Sequence, residues 1–252
     1  MLPGLIDGHS HFISGGEYDL YYVNLNVPPL GPVSCIADLQ EVLRKHAANV
    51  PEGQLIYGIN YNDLGMKEQR HPTCVELDAV STKHPIVIVH VSGHAAVANT
   101  LAFKMAQVTK DSKLENCKLR LDEKGGLTGI IEGGGAWVFY KLPGMPQINI
   151  SLNDCIRKDC ETYAANGVTL ANVGESTFEY DQAMRAASEN GTLKIRGVLW
   201  PYAHDKKLID SYGKLRSGDI LDKEGPRHSW RGKNVRRWKP SGIYRAFLQT
   251  VL

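Results

Sequence analysis

The chain has 252 residues, 42% of them hydrophobic and 22% charged, with a net charge of +2. That is the composition of an ordinary globular protein, long enough to bury one large core or two small ones. Met1 to His11 lacks the basic start and long apolar run of a signal peptide, and no stretch of about 18 uninterrupted apolar residues occurs, so no membrane span is expected.

The five cysteines (Cys35, Cys74, Cys117, Cys155, Cys160) include no C-x-x-C and read as reduced thiols of a cytoplasmic protein. Charge is uneven along the chain. From Gly225 to Leu252 there are seven Lys and Arg residues and no acid, which leaves 22 basic against 27 acidic residues before them. Trp230 and Trp238 also fall in this tail, so it forms a separate compositional regime.

In chain order, the apolar pair Leu5-Ile6 leads into Asp7-Gly8-His9-Ser10-His11. On a strand, side chains at i and i+2 share a face, so His9 and His11 are expected to point the same way. Two neutral imidazoles on one side of a strand end can grip a divalent cation. The plainer alternative is a pair of structural strand histidines.

Ser34 opens an expected helix with Ile36, Leu39, Val42, Leu43 and Ala47 at helical spacing and Pro51 beyond its end. Residues 54–61 read as a strand. Pro85 to Val91 is a β-branched run of the kind buried on both faces. Ala95 to Gln107 is expected to be helical. Residues 110–150, rich in Gly and Pro, read as an inserted loop or small β excursion. Ser151 starts a helix that ends at Gly167. A strand at 168–173, a helix at 178–190 and a strand at 194–200 follow. This helix–strand alternation is the βαβ rhythm of a parallel sheet or barrel.

These strings together resemble a known family. Pro3 to His11 resembles the first barrel strand of the amidohydrolase superfamily. Arg70-His71-Pro72-Thr73, Leu77-Asp78-Ala79-Val80, Ser92-Gly93-His94-Ala95-Ala96-Val97-Ala98-Asn99-Thr100 and Gly125 to Glu132 resemble amidohydrolase family 3, the branch around N-substituted formamide deformylase. Gly167-Val168-Thr169 and Arg196-Gly197-Val198 also fit.

The resemblance implies an α/β fold: a partial (β/α)8 barrel, of TIM type, over residues 1–216, with a long insertion at about 100–150 and a divergent basic tail at 217–252, without fixed structure. It implies a metal-dependent hydrolase of non-peptide carbon–nitrogen bonds, of amide or formamide type. The metal is a divalent cation, zinc first, and the substrate a small amide-type molecule. His9 and His11 would be metal ligands, Asp7 a group orienting backbone or ligand near the site, and His94 and Glu132 substrate contacts. The family's bridging lysine, two later histidines and late aspartate have no counterpart here. The sequence therefore resembles the N-terminal half of a longer enzyme, expected to be weakly active or inactive alone.

Other readings stand beside these. His94 could simply cap a strand-to-helix turn, and Glu132 could be an exposed loop carboxylate. His46, His71 and His84 read as surface or turn residues. Ser10, Ser92 and the cysteines raise a nucleophilic hydrolase, but no G-x-S-x-G elbow or cysteine signature is present. Gly133-Gly134-Gly135 lacks the Lys-Ser/Thr of a phosphate-binding loop. From another class, the Trp/Arg tail suggests a non-catalytic protein contacting nucleic acid or a protein partner, although no nucleic-acid motif accompanies the charge.

Overall fold

The structure, a computed structural model, describes residues 3–134, 136–202, 205–212, 220–222 and 225–227. It forms two compact units, one built from Met1–Leu20 with Ser151–Leu252, the other from Tyr21–Ile150.

The first unit holds a parallel sheet of β1 (Leu5–Ile6), β8 (Val168–Ser176) and β9 (Arg196–Pro201), in that order. Leu5 lies opposite Val168, and Leu170 opposite Arg196. Helix α1 (Ser14–Tyr21) follows β1, α6 (Phe178–Glu189) follows β8, and α7 (Lys206–Tyr212) follows β9. Helix α5 (Leu152–Ala165) precedes β8 and turns Cys155, Ile156 and Cys160 inward. Ser151 Oγ caps α5 by accepting the Asp154 N–H, and Thr177 Oγ1 caps α6 by accepting the Tyr180 N–H. Two glycines let elements approach closely. A side chain at Gly16 would strike the Cys155 backbone, and one at Gly197 would strike the end of Met184. Within the 217–252 tail, β10 (Ile220–Asp222) and β11 (Gly225–Arg227) pair as an antiparallel hairpin. Trp230 and Trp238 lie outside the described residues.

The second unit is a six-stranded mixed sheet. Its order is β2 (Val23–Asn24), β3 (Ile56–Tyr61), β4 (Ile86–His90), β5 (Ala95–Ala98), β7 (Leu127–Glu132) and β6 (Lys118–Leu121). The β2–β3 and β3–β4 pairs are parallel and the rest antiparallel. Successive strand residues face opposite ways, and both faces are covered. Ile56, Ile86, Ile88, Val97 and Ile130 join Leu39 and Leu43 of α2 (Ile36–Ala47) and Leu77 of α3 (Cys74–Asp78) in one core layer. Tyr57, Val87, Val89, Ala96, Ala98 and Ile131 join Phe103 of α4 (Thr100–Met105) and Phe139 in the other.

One expectation changes here. Ala95 to Ala98 is strand, not helix, because it pairs with β4 on one side and β7 on the other and is buried throughout. Small side chains fit an interior strand between two β-branched ones, and pairing on both sides overrides the helical preference of alanine. Helix α4 begins only after Asn99. Of the two readings of 110–150, the β excursion holds: β6 runs into the turn at Gly125 and Gly126, and β7 returns from it as an interior strand of the sheet.

Glu76 ties together the entry to α3. Its carboxylate accepts the Thr73 N–H and hydroxyl and receives a bidentate Arg70 guanidinium. The Arg70 hydrogen bonds hold its pKa below the usual carboxylate range against a desolvation cost. Glu76→Gln is expected to cost about 1 kcal/mol at neutral pH, read from urea midpoints. The lowered pKa makes this contribution present above the unfolded value and lost as pH falls through the folded one. A variant gap that persists undiminished at pH 3 would contradict that assignment.

Candidate metal centre

In the first unit, β1 ends at Ile6 and the chain bends before His9. The bend has a local cause: Asp7 Oδ1 accepts the His9 N–H at 3.0 Å, a short side-chain bond that competes with ladder pairing. The chain then rejoins β8. Ser10 Oγ donates to the Asn172 carbonyl at 2.9 Å, Gly174 N–H donates to the Ser10 carbonyl, and His11 bridges Val173. Asn172 Nδ2 donates to the Asp7 carbonyl at 2.5 Å, and Phe12 N–H to the Asn172 carbonyl at 3.0 Å.

The His9 and His11 rings sit with centroids 5.5 Å apart, edge to face. Trp200, at the end of β9, packs its ring 4.9 Å from that of His9. Gly174 makes room for His11, since a Cβ there would lie 3.1 Å from two atoms of the imidazole. Both histidines are exposed.

Behind them the chain turns sharply. Ile13 is fully buried yet has φ +87°, an outlier for a β-branched residue. Asp159, on α5 and 2% exposed, holds this turn by accepting the Ile13 N–H at 2.6 Å and the Gly16 N–H.

The donor chemistry suits a borderline divalent cation: two imidazoles converge from one strand end, and the backbone carrying them is pinned. They amount to two ligands. Among the described residues no group of three or more His, Cys, Asp or Glu side chains is arranged to hold a metal ion.

His94 and Glu132 belong to the second unit. They are neighbours there through the β5–β7 register, which sets Ala95 opposite Glu132, and Gly133 N–H donates to the His94 carbonyl. The Glu132 carboxylate is paired with Arg120. His94 is exposed, and its N–H donates to Ser92 Oγ at 3.2 Å.

The carboxyl ends of β3 and β4 carry a polar cluster that local sequence reading did not assemble. Asp63 lies between two imidazoles, with His90 Nε2 at 3.0 Å and His71 Nε2 at 3.8 Å. The fully buried Tyr61 hydroxyl is 2.9 Å from His71 Nδ1. Burial and the Asp63 charge raise the Tyr61 pKa above its ordinary value, so its hydroxyl keeps its proton. Burial lowers the His71 pKa, opposed by Asp63.

Of the three histidines read as surface or turn residues, His71 and His84 lie in connecting segments but are drawn inward. His71 folds in against Tyr61 and Asp63. His84 is 7% exposed, with Nδ1 on Ser81 Oγ and Nε2 without a hydrogen-bond partner. It is buried because it leads directly into the covered strand β4, while His46 is half-buried and its pKa is lowered by burial and then by His84. Asn172 offered the one legible hint of a missed residue, a polar side chain inside an apolar strand run. Trp200, Asp159 and Asp63 offered none.

With this geometry in hand, comparison places the chain. It belongs to the amidohydrolase family, whose model matches residues 1–223. It is 34% identical over 108 residues to N-substituted formamide deformylase of Arthrobacter pascens, covering 43% of this chain and 19% of that protein. It is 26% identical over 219 residues to the exoenzymes regulatory protein AepA of Pectobacterium carotovorum subsp. carotovorum, covering 81% and 44%. In fold it is similar to the crystal structure of an uncharacterized metal-dependent hydrolase from Pyrococcus furiosus. The TM-score is 0.57 at 19% identity, over 89% of this chain and 42% of that one. The chain thus spans less than half the length of each of these proteins.

Proposed function

We propose that the protein is a metal-dependent hydrolase of non-peptide carbon–nitrogen bonds, acting on small amides or formamides, with β1, β8 and β9 as consecutive strands of a (β/α)8 barrel. One observation carries the reading beyond family membership: two imidazoles converge at the carboxyl end of a parallel strand, where barrel enzymes of this architecture place their chemistry.

His9 and His11 would hold the divalent cation, zinc first. Such a cation, when bound, lowers the pKa of a coordinated water to about 7 and polarises a carbonyl. The chain's own residues set the stage: Asp7 and Asn172 hold the backbone that carries the two rings, and Trp200 restricts the His9 ring. Five free cysteines support a reducing, cytoplasmic setting. No described helix is long and apolar enough to cross a membrane.

With two ligands, the 252-residue chain by itself is expected to bind zinc weakly and to turn over amides slowly or not at all. Calorimetry with zinc and visible spectra of the cobalt-loaded chain test this beside the His9→Ala and His11→Ala variants. Each substitution is expected to weaken binding by roughly 10- to 100-fold. Unchanged metal affinity in both variants would overturn the assignment. Tight stoichiometric zinc with brisk amide turnover would overturn the expected weakness.

A further inference from the structure

Ser92 carries an exposed hydroxyl that the proposed metal centre does not use. It lies two residues past His90, beyond the carboxyl end of β4, in a turn closed by the Gly93 N–H on the His90 carbonyl. Gly93 supplies the φ of +72° that this turn needs.

Ser92 Oγ is 2.8 Å from His90 Nδ1, and His90 Nε2 is 3.0 Å from Asp63 Oδ1. A third bond assigns the tautomer. The backbone N–H of Ser92 donates to the same Nδ1 at 3.1 Å, which only an unprotonated nitrogen accepts. The ring proton is therefore on Nε2, directed at the Asp63 carboxylate. That is the orientation a general base requires: lone pair toward a hydroxyl, N–H held by a carboxylate.

The His94 N–H donates to Ser92 Oγ and favours negative charge developing there. The relay is shielded at its carboxylate end, where the side chains of Asp63 and His90 are 18% and 15% exposed, and open at Ser92. A plain turn cap would account for the bonds among His90, Ser92 and His94. It would not require a carboxylate, 27 residues earlier in the chain, on the far nitrogen of the ring.

We propose that Ser92, His90 and Asp63 form a metal-independent nucleophilic relay that cleaves small activated esters by acyl transfer. Ser92 Oγ attacks the acyl carbon as its proton passes to His90 Nδ1. The bond from carbon to the leaving oxygen breaks, and that oxygen takes the proton from His90. Water, giving its proton to His90 Nδ1, then attacks the acyl–Ser92 ester. The carboxylic acid leaves and the proton returns to Ser92 Oγ. The exposed hydroxyl selects esters with good leaving groups, such as aryl acetates.

The test uses the full chain, stripped of metal with a chelator, with p-nitrophenyl acetate and a fluorophosphonate probe at pH 8. The expected result is ester hydrolysis and covalent phosphonylation mapped by mass spectrometry to Ser92. Ser92→Ala should abolish labelling and lower turnover by about a hundredfold. His90→Gln and Asp63→Asn should slow labelling by at least about tenfold with an unchanged circular dichroism spectrum. Absence of a Ser92 adduct on the folded chain would overturn the proposal. So would equal labelling rates in His90→Gln, or ester turnover that disappears with the metal. The zinc titrations above read the His9–His11 site separately, so either idea can fail alone.

Discussion

Asn99→Ala is expected to cost about 4–5 kcal/mol, a large share of the stability of a typical domain. Asn99 is fully buried and uses its whole side chain. Oδ1 accepts the N–H of Ile86 at 3.0 Å, where β4 begins, and the N–H of Ala102 at 2.9 Å, where α4 begins. Nδ2 donates to the carbonyls of Ser81 at 3.2 Å and His84 at 3.0 Å. One amide thus joins a loop, a strand start and a helix cap. Removing it strands two N–H groups and the His84 carbonyl away from water and deprives the half-buried Ser81 carbonyl of its donor, at about 1–3 kcal/mol for each unsatisfied buried group before relaxation. Asn99→Asp keeps the acceptor half but sets a carboxylate against two carbonyl oxygens, so it should be no milder. Urea unfolding followed by circular dichroism, with hydrogen exchange at the amides of Ile86 and Ala102, reads the effect. A loss under about 1 kcal/mol would mean that water replaces these bonds.

The second large effect lies behind the histidine pair. Burial pushes the Asp159 carboxyl up to about 6, against the pull of the Gly16 and Ile13 N–H groups, and Asp19 and Glu17 add to the rise. The sign follows from linkage. Between its unfolded value of 3.8 and about 6, the folded chain keeps a proton that the unfolded chain has lost. This group's contribution is therefore greatest below the unfolded value and declines as pH rises through the folded one, by on the order of 2–3 kcal/mol. Asp159→Asn is neutral throughout and lacks this term. The stability of the native chain relative to that variant should fall by that amount between pH 4 and pH 7, in paired urea titrations. A difference independent of pH would show that Asp159 is ionised across the range. Asp159→Ala should be destabilising at every pH, by about 3 kcal/mol, because the turn at Ile13 loses its acceptor.

Local pattern alone located much of the chain. The β-branched run from Ile86 to Val89 reads as a strand covered on both faces, and alternate residues do enter the two core layers. The apolar spacing from Ile36 to Ala47 reads as a helix, and α2 buries Ile36, Leu39 and Leu43. These succeed because side-chain period and chain geometry are set by the same few residues. The two-residue spacing of His9 and His11 likewise foretells neighbouring rings, and their centroids lie 5.5 Å apart, although Asp7 and Asn172 rather than a continuous strand hold them there.

Residue pattern is enough to recognise the family, the period of most elements and the spacing of the histidine pair. Tertiary structure alone decided that Ala95–Ala98 is a strand, because its two neighbours in the sheet outbid the helical preference of alanine. It alone placed Asn172 on the Asp7 carbonyl, 165 residues away, and Asp159 on the turn at Ile13, 146 residues away. It alone set Asp63 against His90. Such partners carry no local signal. Their pairing follows from which strands and helices come to lie side by side, and each buried polar group must then find its hydrogen bond among whatever that packing brings near.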